Sequence, residues 1–523
     1  MAPKPNNANT LCFAISKIYL KYVSTSAYFE TRGIPLHGFE PIRVLRNTYH
    51  GIGLSEDTLE KYRQVKAKGA KIGASVDFSQ KAYLVCDPVI LKHIMVKDFN
   101  HFMDRQLFEV HKEDFLLQKM LLVLTGRPWK YVRTKLNPAF SSRSIRRLFQ
   151  AFDDSGKKFV EFLEKTPKNG GELDLTIAID KFLTHVFGSA TYGIDSKAFD
   201  QEGPSEFQHH GKDAYIHFHG LKGIKIFLLA ALPKLGYKLG LTFLGRDNQT
   251  YFNNVFQSAV KDRLQSNTSG EDFVQLILEG KEATNLEKSE DEDDEESNTS
   301  YKKQLALENH EVFDDEGIAT NCLQFMLAGF EGSQSLLLFS VYALALNQDI
   351  QTKLRQEVLA GLEQDGGEFT FQTVNGMEYL EMFVKEAMRY YSSAGVTARS
   401  CVMDYTFPGT NITIKKGEGI LIPIIGLHHD PEYFPNPEKF SPERFSKENK
   451  PNLVPNTFMP FGGGPRDCIG RRFAVIEVKV ALCHLVKNFE LVPSKRTLIP
   501  LQFSDGLQRK PKGGMFLALN KIN

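Results

Sequence analysis

The chain has 523 residues, 42% of them hydrophobic, which is enough to bury a large core. Lys and Arg total 64 against 63 Asp and Glu, so a formal charge of +1 offers no global field for nucleic acid, and any charge-dependent function is local. Six cysteines (Cys12, Cys86, Cys322, Cys401, Cys468, Cys483) lack C-x-x-C spacing, which excludes a disulfide scaffold or a zinc ribbon and fits a reducing compartment.

Residues 1–27 carry a broken apolar run, LCFAISKIYL, interrupted by Lys17 and about half the roughly 20 residues needed to cross a bilayer. With Lys4, Lys17 and Lys21 and no acid before Glu30, the segment is similar to a mitochondrial transit peptide; a short or incomplete membrane anchor and a frayed terminus are the other readings. From about Tyr28 helical and strand patterns alternate without a domain linker, predicting one large domain over 28–523. RPWKYVR sets Trp129 and Arg133 one helical turn apart.

Between Gly223 and Leu244, lysines 225, 234 and 238 interleave with aliphatic residues and Pro233 breaks the run, so two short amphipathic pieces are expected. They either dip into a membrane surface or cover a core. Seven consecutive acids from Glu290 to Glu296 mark a solvated loop at about 287–300.

Asp314 stands as an N-cap with acids in the following turn, and helical regularity persists to about Leu346. That is roughly 32 residues, or about 48 Å, enough to cross a domain. Gln324, Glu331 and Gln334 make a transmembrane reading costly. Further on, KEAMR places Glu386 and Arg389 on one helix face, where they can form an ion pair.

Near the C-terminus, FMPFGGGPRDCIG fills every position of F-x-x-G-x-R-x-C-x-G with Phe461, Gly464, Arg466, Cys468 and Gly470. A lone cysteine is ordinarily a small core residue. Here glycines permit a tight turn, and the backbone N–H groups it exposes can hydrogen-bond a thiolate. At this point the sequence resembles the cytochrome P450 superfamily, in particular the animal microsomal branch of drug-, steroid- and insect toxin-oxidising enzymes, over about residues 28–523.

The resemblance implies the cytochrome P450 fold, mainly α with small β-sheets, and haem b, with Cys468 as proximal ligand and Phe461 packed beside it. It makes Arg466, Trp129, Arg133, Arg105 (in HFMDR) and Arg399 (in TARSC) propionate partners, and Glu386, Arg389 and Arg444 a structural brace for the ligand loop. It also gives AGFEGS a role: Ala328 and Gly329 make room for dioxygen, and Glu331 relays protons. The family's threonine is here Gly332, with Ser333 one residue and about 100° further round the helix. Ser392 and Ser393 stand where relatives usually carry prolines.

The implied activity is insertion of one oxygen atom from O2 into an apolar small molecule, by hydroxylation or epoxidation. NADPH-cytochrome P450 reductase supplies the electrons at the cytosolic face of the endoplasmic reticulum membrane. Arg471 and Arg472 resemble the paired arginines of mitochondrial members that dock a ferredoxin, which keeps a mitochondrial location as the alternative. Gly332 motivates a rival, an isomerase or dehydratase acting on a peroxide without a reductase; a haem-binding sensor without turnover is a third reading. Expected pocket walls are Leu107 to Gln118, the 215–245 region, Phe330 and Ala394 to Val396.

Overall fold

A computed structural model describes residues 20, 23–34, 54–77, 80–105, 110, 114–166, 172–200, 203–214, 220–266, 270–279, 312–505 and 508–522. The acidic run at 287–300, most of 1–27, residues 107–109 and 111–113 of one expected pocket wall and 215–219 of another lie outside them.

The organising element is a 32-residue helix, Asp315–Leu346, which starts and ends where the sequence predicts. Asp314 has extended backbone angles, and its Oδ1 accepts from the Gly317 N–H at 2.8 Å, satisfying one of the orphan donors of the first turn. The helix is buried on nearly all sides because helices pack around it: Leu175–Val186, Arg246–Ser266, Gln348–Gln364, Glu378–Tyr391 and Arg471–Asn488. Phe187, Phe325 and Phe473 fill the space beside it, with Phe187 stacked on Phe473 at 5.6 Å between ring centres.

A second apolar cluster, around Phe29, Tyr83, Phe102 and Phe407, covers a four-stranded sheet. Its order is Ile72–Asp77, Gln80–Val85, Gly419–Ile422, Thr397–Ser400. The middle pair is parallel, with Ala82 opposite Gly419, and the outer pairs are antiparallel. Smaller sheets pair Phe516–Lys521 with Glu172–Asp174 and Phe489–Pro493, and Phe503–Asp505 with Arg509–Pro511. The result is one large, mainly helical domain with small separate sheets.

Pro233 divides the amphipathic stretch into Gly220–Ala231 and Pro233–Lys238, as its ring requires. Among the described residues no helix is long and apolar enough to cross a membrane.

Candidate functional site

The loop 461–470 is shaped by glycines with no alternative. Gly464 has φ +70, and a Cβ there would lie 1.8 Å from the Met95 carbonyl oxygen. The turn brings the Cys468 N–H to the Phe461 carbonyl at 2.9 Å, while the Gly470 N–H hydrogen-bonds the Cys468 sulfur. Burial pushes the thiol's pKa up, opposed by that N–H and by the Arg105 guanidinium. Yet Cys468 still presents exposed surface, whereas the other four cysteines within the described residues are buried. A side chain both deep and accessible faces an internal cavity.

The long helix carries an open surface of its own. Within its buried length, Ala328 is exposed and Gln324 and Gly332 are partly so; at a spacing of four they form one open stripe. Nothing lies within 4 Å of a Cβ built on Gly332. Gly329 differs, because a Cβ there would sit 2.6 Å from the Phe187 ring: its smallness serves helix packing. Phe330 is buried.

Three arginines from separate elements converge beside the loop. Asp104 bridges to Ser400 and accepts from the Gly126 N–H at 2.8 Å, which brings Arg105, the Arg399 strand and the start of helix Gly126–Leu136 together. Arg105 donates to the Arg466 carbonyl at 2.6 Å, Arg399 to the Gly463 carbonyl at 3.4 Å, and Arg466 to the Leu122 carbonyl at 3.3 Å and to the Leu124 carbonyl. The Arg466 guanidinium stacks 4.6 Å over Trp129. Each keeps a buried Nε without a partner, and among the described residues none is paired with a carboxylate. Burial first and then mutual repulsion hold Arg399 well below its ordinary pKa and Arg466 at about 9.

Such a cluster of desolvated cations is the environment a buried dianion requires, and the propionate edge of haem fits it.

Arg133 behaves differently. It donates to the Asp467 carbonyl and carboxylate, both at 2.8 Å, and to Asn137 Oδ1 at 3.0 Å, bracing the residue next to Cys468.

Glu386, Arg389 and Arg444 come together. Glu386 and Arg389, both fully buried, form a bidentate pair with two contacts of 2.8 Å, and the Arg444 guanidinium lies 3.4 Å from the same carboxylate. Arg389 also donates to the His428 carbonyl, while the His428 Nε2 accepts from the Met459 N–H at 3.0 Å, so the pair is carried into the ligand loop. That acceptor role fixes the tautomer: the proton sits on Nδ1, facing the Ser392 hydroxyl at 2.9 Å. Ser392 has φ +45, which proline cannot adopt, so the departure from the family's prolines there has a conformational reason.

Glu331 is buried and paired with Lys510, Nζ to Oε1 at 3.0 Å. Ser333 turns away from the open stripe and hydrogen-bonds Glu477 Oε2 at 2.7 Å. Burial lifts the Glu477 carboxyl to about 8, the Ser333 bond opposing. Lys510, Glu477, His428 and Asp467 were not identified from the sequence. Asp467 and Glu477 carried a signal, as acids beside and nine residues beyond the motif cysteine. Lys510 carried none.

Comparison with known proteins agrees with this geometry. The Cytochrome P450 family profile matches residues 39–518. The chain is similar to Cytochrome P450 9e2 of Blattella germanica (32% identical, 97% of both chains), Cytochrome P450 6k1 of the same organism (31%, covering 94% of this chain and 93% of the relative), and Probable cytochrome P450 9f2 of Drosophila melanogaster (34%, 85% of both). The chain belongs to the cytochrome P450 family of monooxygenases, whose cofactor is haem b with an axial cysteine thiolate.

Proposed function

We propose that Cys468 is the axial thiolate, that Arg105, Arg399 and Arg466 hold the propionates, and that the chain inserts one atom of O2 into an apolar small molecule using NADPH electrons passed through a reductase. The observation that carries this reading is Cys468, deep yet open, beside three desolvated guanidiniums without a counter-anion. Haem with a thiolate ligand supplies reductive activation of dioxygen and cleavage of its O–O bond. The chain's own residues do the rest. The Gly470 N–H tempers the sulfur, and the loop and brace fix its position. The stripe of Gln324, Ala328 and Gly332 leaves space for small molecules against the helix.

Glu331, held by Lys510, carries protons from solvent toward that space. With Gly332 lacking a hydroxyl and Ser333 engaged by Glu477, a water beside Gly332 completes the transfer.

On this reading the protein works at the cytosolic face of the endoplasmic reticulum membrane. Supporting this, Leu221 is 82% and Leu239 56% exposed, with Lys222, Lys234 and Lys238 beside them, the pattern of a surface-dipping pair of helices. Exposed Arg471 and Arg472 favour, as second reading, a ferredoxin partner in mitochondria. The open space at Gly332 favours a reductase-independent peroxide isomerase or dehydratase.

The test begins with the reduced carbon-monoxide spectrum: a thiolate-type band is expected, and a histidine-type band overturns every version. Purified protein with reductase and NADPH then yields oxygenated product. Turnover of a lipid hydroperoxide without reductase identifies the isomerase reading instead, and product formed only with a ferredoxin identifies the mitochondrial one.

A further inference from the structure

Four arginines meet at the 461–470 loop, and one of them is unlike the rest. Among the described residues, Arg105, Arg399 and Arg466 form no ion pair with a carboxylate, and each leaves a buried Nε without a partner. Arg133 has every nitrogen of its guanidinium engaged. Nε donates to Asn137 Oδ1 at 3.0 Å, Nη1 to the Asp467 carbonyl at 2.8 Å and Nη2 to Asp467 Oδ1 at 2.8 Å. The resemblance to relatives makes Arg133 a propionate partner, whereas the structure commits it to the residue that precedes Cys468.

The arrangement follows from two local structures. Arg133 stands in the last turn of helix Gly126–Leu136, and Asn137, four residues on, caps that helix and holds the guanidinium from one side. Asp467 closes the tight turn Gly464–Arg466 and donates its N–H to the Gly464 carbonyl at 3.0 Å, which fixes the carboxylate on the other side. The two side chains are 15% and 29% exposed, so the pair adds little to stability as an ion pair. Its position matters more. Asp467 is the only acid of the loop 461–470, and it is covalently next to Cys468. A carboxylate there opposes negative charge on the sulfur and on any group bound to it, and a guanidinium hydrogen-bonded to that carboxylate offsets the repulsion.

We propose that Arg133 is a positioning residue that holds the Asp467 carboxylate, cancels its charge beside Cys468 and so sets the reduction potential of the haem, with no part in binding a propionate. This deepens the function proposed above, which makes Cys468 the axial ligand. Reduction of ferric to ferrous haem adds one electron to the unit that the Cys468 sulfur belongs to, so an uncompensated negative charge at Asp467 disfavours it.

Arg133→Gln removes the charge and keeps a donor, and Asp467→Asn removes the opposing charge on a side chain of the same shape. An optical titration with dithionite and dye mediators reads the midpoint potential. Arg133→Gln is expected to shift it to more negative values and Asp467→Asn to more positive ones, with the double variant returning close to the unaltered protein. Arg133→Lys, which keeps the charge and gives up the fork, should recover most of the shift. Resonance Raman separates this from propionate binding: the iron–sulfur stretch should move in Arg133→Gln while the propionate bending bands stay in place. Propionate bands that move with an unmoved iron–sulfur stretch, or a midpoint indifferent to Asp467→Asn, overturn the proposal.

Urea unfolding of the same variants provides a readout that needs no haem signal. The double variant is expected to lose less than the sum of the two single losses, because either substitution alone already breaks the pair. Strictly additive losses overturn it. Absence of a thiolate-type carbon-monoxide band in the unaltered protein counts against the proposed function, and the unfolding cycle then decides the pair by itself. Should Arg133→Gln fail to fold, Asp467→Asn and Arg133→Lys carry the potential and Raman measurements.

Discussion

The ligand loop and the region around helix Gly220–Ala231 are held by different kinds of bond. Beneath the loop, Glu386 and Arg389 are fully buried, share two contacts and pass their remaining donors and acceptors to Ser441, His428 and Lys439. Around helix Gly220–Ala231, the Lys222–Asp213 pair is exposed at both ends, while Asp114 accepts from Tyr237, Phe243 and Leu244, and Gln249 donates to the Leu244 carbonyl. A broken bond near the loop strands a desolvated charge, whereas a broken exposed pair meets water. The Cys468 loop thus rests on buried charge pairs, and the exposed Lys222–Asp213 pair costs less to break.

The sharpest way to break this contrast is at the brace. Glu386→Ala leaves Arg389 charged, buried and without its bidentate partner, at a cost of about 3–5 kcal/mol. Urea unfolding and haem retention measure it: a large fall in both is expected. By contrast, Lys222→Ala is expected to change stability by less than about 1 kcal/mol.

Acid is the next lever. Burial holds His428 well below its ordinary pKa and His185 at about 4, so both are neutral when folded. An unfolded chain binds protons to these groups from about pH 6.5 downward, ahead of the folded one. Their contribution is therefore fully present above pH 6.5 and is lost as pH falls toward the folded values. For His185 the gap between 6.5 and about 4 corresponds to about 3 kcal/mol at the acid end. The stability of the unaltered protein, read as its unfolding midpoint relative to that of His185→Gln, which cannot titrate, should therefore fall from pH 7.5 through 6 to 5; the raised Glu477 carboxyl acts in the opposite direction over the same range and cancels in that difference.

Much of this was legible in the sequence because it is local. An N-cap three residues before a glycine N–H, a glutamate and arginine on one turn, a proline that splits a run and a ten-position motif all act over a few residues. What was not legible depends on where distant segments come to rest. Lys510 reaches Glu331 across 179 positions and Glu477 reaches Ser333 across 144, and neither pairing leaves a trace in spacing. Arg133 shows a middle case. Its helix and turn are as expected, but its donors go to Asp467 and Asn137, since a neighbouring acid offers a geometry that the motif alone does not specify.

The two glycines of the central helix sharpen the comparison further, because they are three residues apart and face opposite conditions. At Gly329 an added methyl meets the Phe187 ring at 2.6 Å, and that ring is itself stacked on Phe473 and cannot yield freely. Gly329→Ala should therefore cost about 1–3 kcal/mol by overpacking, despite alanine's better helix propensity. Thermal unfolding distinguishes this from a propensity effect, which has the opposite sign.

At Gly332 the same substitution meets open space, so only propensity acts, and Gly332→Ala should stabilise by about 1 kcal/mol. The gain is small but its sign is diagnostic, because an ordinary packed core position would lose stability. If the open space also holds the water that finishes proton transfer, then Gly332→Thr, which restores a hydroxyl on the open stripe, should raise the fraction of electrons recovered in product over hydrogen peroxide. Gly332→Ala, with no hydroxyl, should not. Equal coupling in the two variants would mean that the space at 332 governs packing alone and that proton transfer runs independently of it.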